Sequence, residues 1–145
     1  MDAIALRQAG VAILDPILAP HGYAYEDGVA DRGSGGPFAR GAFVRGHRRL
    51  EFSARFALGE VLYRVGRHAL SHEDYMRVAA GRGKHRYPGF SDDALDGFRD
   101  LAADLEAFGQ IFLRGDDQSF TDIANEAERT RPPRGFAALF KPPAR

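Results

Sequence analysis

The chain contains no cysteine. Disulfides, thiolate metal sites, a cysteine nucleophile and thiol redox chemistry are excluded together, and the composition suits a reducing cytoplasm. Lysine is scarce as well: of twenty basic residues only Lys84 and Lys141 are not arginine. With abundant Gly, Ala, Pro and Asp, that skew points to GC-rich bacterial codon usage and says nothing about function. Apolar runs such as Val11–Leu14 and Ile17–Ala19 are far shorter than a bilayer span requires. The start, Met1-Asp2-Ala3, has an acid where a secretory signal carries Lys or Arg. No membrane association or export is therefore expected. Net charge is also missing, at +0, which argues against strong non-specific nucleic-acid binding.

What is present is enough for one core. Of 145 residues, 44% are hydrophobic and 28% charged, the balance of an ordinary globular chain. The zero net charge hides an uneven distribution. Residues 30–90 hold twelve Arg or Lys against five acids, and residues 91–128 hold two against eleven. That pattern fits either opposed binding surfaces or two faces that neutralise each other in the fold.

Helical periodicity opens the chain. Ile4, Leu6, Val11, Leu14 and Leu18 recur on one side, Asp2 can cap the start, and Pro20 with Gly22 ends it. Strand-like runs follow at Tyr23–Glu26, Phe38–Arg45, Arg48–Phe56 and Glu60–Val65, with a loop over residues 27–37 and tight turns at Gly46-His47 and Leu58-Gly59. The third run alternates most clearly, with Leu50, Phe52, Ala54 and Phe56 on one face and Glu51, Ser53 and Arg55 on the other. Turns this short demand antiparallel neighbours. Ser71 then caps a short helix to Ala80, and Ser91 caps a longer one striped by Leu95, Phe98, Leu101, Leu105 and Phe108. Gln110–Leu113 reads as a fifth strand or a buried connection, and Ser119–Glu128 as a last helix.

The predicted fold is α+β: a two-layer domain over residues 1–131, in which an antiparallel meander of four or five strands is packed on one face by N- and C-terminal helices. The tail, 132–145, is proline-rich. Phe136, Leu139 and Phe140 have i, i+3, i+4 spacing there, which predicts a single docked turn against its own domain or a second copy of the chain, a homodimer contact.

The run Leu14–Tyr25 (LDPILAPHGYAY), then Phe43-Val44-Arg45, then Leu50–Leu58 resembles small uncharacterised bacterial α+β proteins, some of them grouped with immunity proteins of polymorphic toxins. The likeness covers the N-terminal half and carries no catalytic motif. It implies a meander entered from an N-terminal helix, and a lean toward protein binding.

No catalytic, cofactor or metal site can be assembled. His68 and His72, beside Glu73 and Asp74, lack the third imidazole and the clear spacing of a zinc site. Gly33-Ser34-Gly35-Gly36 precedes a proline and a strand, so it is a turn and neither a phosphate cradle nor a nucleophile elbow. Two surfaces remain. One is the acidic helix, with Asp96, Asp100 and Asp104 expected on its solvent side, a docking surface of the kind some immunity proteins use. The other is the polar sheet face with Arg55 and Arg64. A non-enzymatic protein-binding module is the first expectation, with another protein as partner. The alternative is a polyanion or nucleic-acid binder using the arginine-rich sheet and the loop at Arg82, Lys84, His85 and Arg86.

Overall fold

The Asp2 carboxylate accepts the Ala5 N–H at 2.7 Å, satisfying one of the bare donors at a helix start, and helix α1 runs Ala3–Leu18 from there. The computed structural model describes residues 1–132; the tail with Phe136, Leu139 and Phe140 lies outside the described residues. Pro16 sits inside α1 without ending it, and Gly22, at φ 88, turns the chain into the sheet. Counted over Ala3–His21, this segment is long and apolar enough to cross a membrane by length and composition. Short runs conceal that, because isolated small and polar residues interrupt them. In the fold its Leu6, Gly10, Leu14 and Leu18 are buried.

Five strands follow, β1 (Ala24–Gly33), β2 (Gly36–Arg45), β3 (Arg48–Ala54), β4 (Leu58–Val65) and β5 (His68–Ser71). Their order in the sheet is their order in the chain, and every neighbour is antiparallel. Two of the turns place Gly46 and Gly66 at φ 59, a left-handed conformation that glycine adopts without penalty. The loop expected over residues 27–37 is instead a paired ribbon, turning only between Gly33 and Gly36. Its Asp and Gly residues have weak strand propensity, but a register shift between Asp27 and Ala30 absorbs the irregularity. Arg7 reaches from α1 to that bulge and donates to the carbonyls of Gly28 and Arg40 at 3.2 and 2.9 Å.

The core alternation of β3 holds for Leu50, Phe52 and Ala54 and stops there. Phe56 is 76% exposed, because the register shifts after Phe52 and the Arg55 N–H bonds to the Ala57 carbonyl in a tight turn.

Four more helices cover the inner face: α2 (His72–Ala79), α3 (Asp96–Phe108), α4 (Gln110–Arg114) and α5 (Asp117–Arg129). Ser71 caps α2 as its sequence predicts. The start of α3 is later than expected, since Ser91 accepts the Asp93 N–H and shapes a bend ahead of the helix. Gln110–Arg114 is a helical turn and not a strand: it is the buried connection of the two alternatives, with Phe112 and Leu113 buried. The α+β reading holds. Phe43, Leu50, Phe52 and Tyr63 from the sheet meet Leu14, Phe98, Leu101, Phe112 and Phe120 from the helices in one core.

The α1–α3 crossing depends on one missing side chain. A Cβ on Gly10 would lie 2.3 Å from the Phe98 ring, so the helices approach only because that position is bare. Gly10→Ala is expected to destabilise by about 1–3 kcal/mol despite its better helix propensity. A urea midpoint equal to the parent's would remove this account of the crossing.

Two arginines of the predicted basic cluster turn inward. Arg48 is buried and donates to the carbonyls of Ile111 and Phe112 and to Asp117, joining the end of α4 to the start of α5. Arg45 donates to the carbonyls of His21 and Leu113 and lies over the Tyr23 ring. They reach carbonyls at helix ends, where the last C=O groups run out of N–H partners along the helix.

Candidate functional site

With the helices gathered on one side, the outer face of the sheet carries no helical cover among the described residues. Strand alternation sends Glu26, Arg40, Arg49, Glu51, Ser53, Glu60, Leu62 and Arg64 to that face, around a shallow depression of about 300 Å³. The charges at its centre neutralise each other across strands. Glu51 accepts from Arg49 Nε at 3.0 Å and from Arg64 Nε at 2.8 Å, and Arg49 stands 3.7 Å from Glu26. Burial alone would raise the Glu51 pKa, but the hydrogen bonds from Arg64 and Arg49 hold it below its usual value. The centre of the face is therefore a fixed, self-compensated ladder.

The corner near the β1–β2 turn is different. Phe38 is flanked by two guanidinium groups, Arg40 at 5.9 Å and Arg55 at 5.8 Å from the ring centroid. Neither has a carboxylate within ion-pair distance among the described residues. Exposed Phe56 stands beside them, over a hollow of about 460 Å³.

A second cleft, of about 600 Å³, lies between β4, α2 and the loop of residues 81–91, with His72 at its base. Here the structure corrects the reading of the acidic helix. Asp104 is not on the solvent side. It is buried, accepts from His72 Nε2 at 2.8 Å, and takes the backbone N–H groups of Arg86 and Tyr87 at 2.9 to 3.0 Å. His72 Nδ1 in turn meets the Tyr63 hydroxyl at 2.6 Å, where both side chains are buried. Burial would raise the Asp104 pKa, yet the hydrogen bonds from His72, Tyr87 and Arg86 outweigh it and keep the carboxyl below its ordinary range. Burial, followed by Tyr75 and Asp104, pushes the Tyr63 hydroxyl well above its own. Tyr63 thus keeps its proton and is hydrogen-bonded to Nδ1, while the ionised Asp104 accepts from Nε2.

An Asp–His–Tyr chain resembles a catalytic relay in composition only. Both imidazole nitrogens are spent on protein groups, and the hydroxyl at its end is sealed in the core, out of a substrate's reach. Chemically it is a fastening: three side chains tie the 81–91 loop to β4, α2 and α3. The same geometry takes His72 away from any ligand set with His68.

Of the remaining sites expected from sequence, Asp96 is paired with Arg99 at 2.7 Å and Asp100 is half-buried, so the helix presents no continuous acidic stripe. Arg64 lies on the open sheet face, engaged with Glu51. Arg55 lies at its corner without such a partner. Sequence reasoning missed the roles of Phe38, Arg40 and Phe56. The signal available was two aromatics spaced around arginines on outward positions, which is hard to distinguish from core alternation until the register is known. Comparison with protein-family models, with curated proteins and with solved structures finds no match to this chain.

Proposed function

We propose that the chain is a non-enzymatic protein-binding module, immunity-protein-like in using a preformed rigid surface, and that it docks its partner on the outer face of the sheet. The single observation that carries this reading is a five-stranded sheet with one face packed by helices and the other left to a prearranged Arg–Glu ladder around half-buried Leu62. Fixed charges of alternating sign give specificity more than affinity, as protein interfaces use them. The acidic helix loses its claim to that role, since Asp104 points inward. The absence of cysteine is consistent with work in the cytoplasm.

A polyanion reading retains fewer groups than the sequence offered it. Arg45 and Arg48 serve helix ends, and Arg49 and Arg64 are matched by Glu51. The docking reading is tested with a photo-reactive benzophenone side chain at Leu62, compared with the same group at exposed Asp122 on α5. In the cells the chain comes from, a discrete cross-linked product is expected from position 62 and not from 122. Equal labelling from both, or none from either, would abandon the sheet face.

A further inference from the structure

We infer that the corner made by Phe38, Arg40, Arg55 and Phe56 is the anchor of that docking face, and that it seats an acidic side chain of the partner protein next to an apolar one. This rests on the reading of the outer face as the docking surface and adds what the partner must carry.

Three observations lead there. First, the arginines at the centre of the face are matched and those here are not. Arg49 and Arg64 share Glu51, whereas Arg40 and Arg55 have no carboxylate among the described residues. Second, the two guanidinium groups are gathered at one place. Both flank the Phe38 ring, and Arg55 also lies against the hairpin turn at Gly35. A planar fork of this kind can accept a carboxylate in bidentate fashion. Third, Phe56 is 76% exposed beside them, over Ala54 and Leu58, which are buried. An aromatic ring and arginines around a hollow are the residue types that dominate binding energy at protein interfaces.

The same groups could grip a phosphate, and stacking on Phe56 could hold a base. The surroundings favour a protein. A nucleic-acid strand leaving the corner across the sheet meets Arg49 and Arg64 already engaged by Glu51, with Glu26 and Glu60 beside them, so successive phosphates find no unengaged arginine along that path among the described residues. One carboxylate on a partner side chain makes no such demand.

The experiment pans a display library of random linear peptides on the full-length chain. Enriched peptides are expected to pair Asp or Glu with Phe, Leu or Ile. A selected peptide should bind about tenfold more weakly to the Arg40→Gln/Arg55→Gln double variant and to Phe56→Ser. It should bind unchanged to Arg67→Gln, which removes one arginine charge at the far turn of the sheet, with unchanged melting temperatures as the control for folding. Peptides without acidic residues, or binding indifferent to these variants, would overturn the anchor. If such peptides are instead lost in Leu62→Asp, the sheet face survives without this corner; if they are indifferent to that change too, both readings fall. Oligothymidylate bound more tightly than any peptide, and lost in the same double variant, would identify a phosphate site and end the proposal.

Discussion

Replacing Asp104 by alanine is expected to destabilise the protein by about 3–5 kcal/mol, a large share of the roughly 5–15 kcal/mol that holds a domain folded. Among the described residues the buried carboxylate is what accepts from His72 Nε2 and from the Arg86 and Tyr87 N–H groups. Alanine takes that acceptor from all three, and the desolvation penalty is largest at the buried imidazole. Tyr63→Phe removes only the hydroxyl facing Nδ1 and should cost about 1–3 kcal/mol. Thermal and urea denaturation measure both, and trypsin adds a local readout at Arg82, Lys84 and Arg86. In Asp104→Ala those bonds should be cut before the fold is lost. The sign of the pH effect follows from the lowered pKa. A carboxyl depressed in the folded state contributes stability in full above its unfolded value of about 3.9, and loses it as pH falls through the folded value. The parent should therefore weaken on acidification below about pH 4, and the alanine variant less so. Identical acid profiles would show that the Asp104–His72 contact contributes nothing to stability.

Phe52→Ala should be comparably severe, at about 3–5 kcal/mol. Its ring meets Phe98 edge-on at 5.7 Å and packs with Phe43 and Tyr25 at 6.4 Å. No small movement of helix and sheet could refill the space. Next to it in sequence, Ser53→Ala loses one exposed hydrogen bond, from the Glu60 N–H, worth under about 1.5 kcal/mol. Phe56→Ala, at a position that simple alternation also assigns to the core, should fall within about 0.5 kcal/mol of the parent. Melting temperatures that rank Phe56 with Phe52 would refute the register at the end of β3.

The pair Phe52 and Phe56 shows how far the sequence could be read. Alternation gave the inward face correctly wherever the ladder was regular, because the side-chain period of a strand is two. It failed where a backbone irregularity changed the count, and nothing in Arg55-Phe56-Ala57 announces such a turn. The β1–β2 ribbon was hidden for the opposite reason. Asp27, Gly28 and Gly33 are turn-forming residues, and they are extended only because β2 pairs with their strand and Arg7 secures the bulge. At four residues, β5 is too short for periodicity to show.

Asp104 was misjudged by its angle. At about 100° per residue it lies roughly 80° around α3 from Asp96 but only about 40° from Phe108, at the border of the apolar stripe. Spacings of four drift toward the core, so the third member of an acidic series differs in kind from the first. Its partner His72 sits on a different helix, and no local pattern links the two. The pairing of Glu51 with Arg64 follows from opposite charges on adjacent strands of one face, whereas Arg49 reaches Glu51 along its own strand.

The meander has a consequence for synthesis. Every strand pairs with its neighbour in the chain, so the sheet needs no distant segment and is complete once Ser71 has emerged. Much of its cover arrives later, with residues 96–129. Phe43, Phe52 and Tyr63 are then only partly sheltered by α1, for several seconds at about 5–20 residues per second. During that interval the nascent chain carries an oily sheet face wider than the mature protein ever shows. The same topology that lets the sheet pair early leaves its inner face waiting for cover until the second half of the chain arrives.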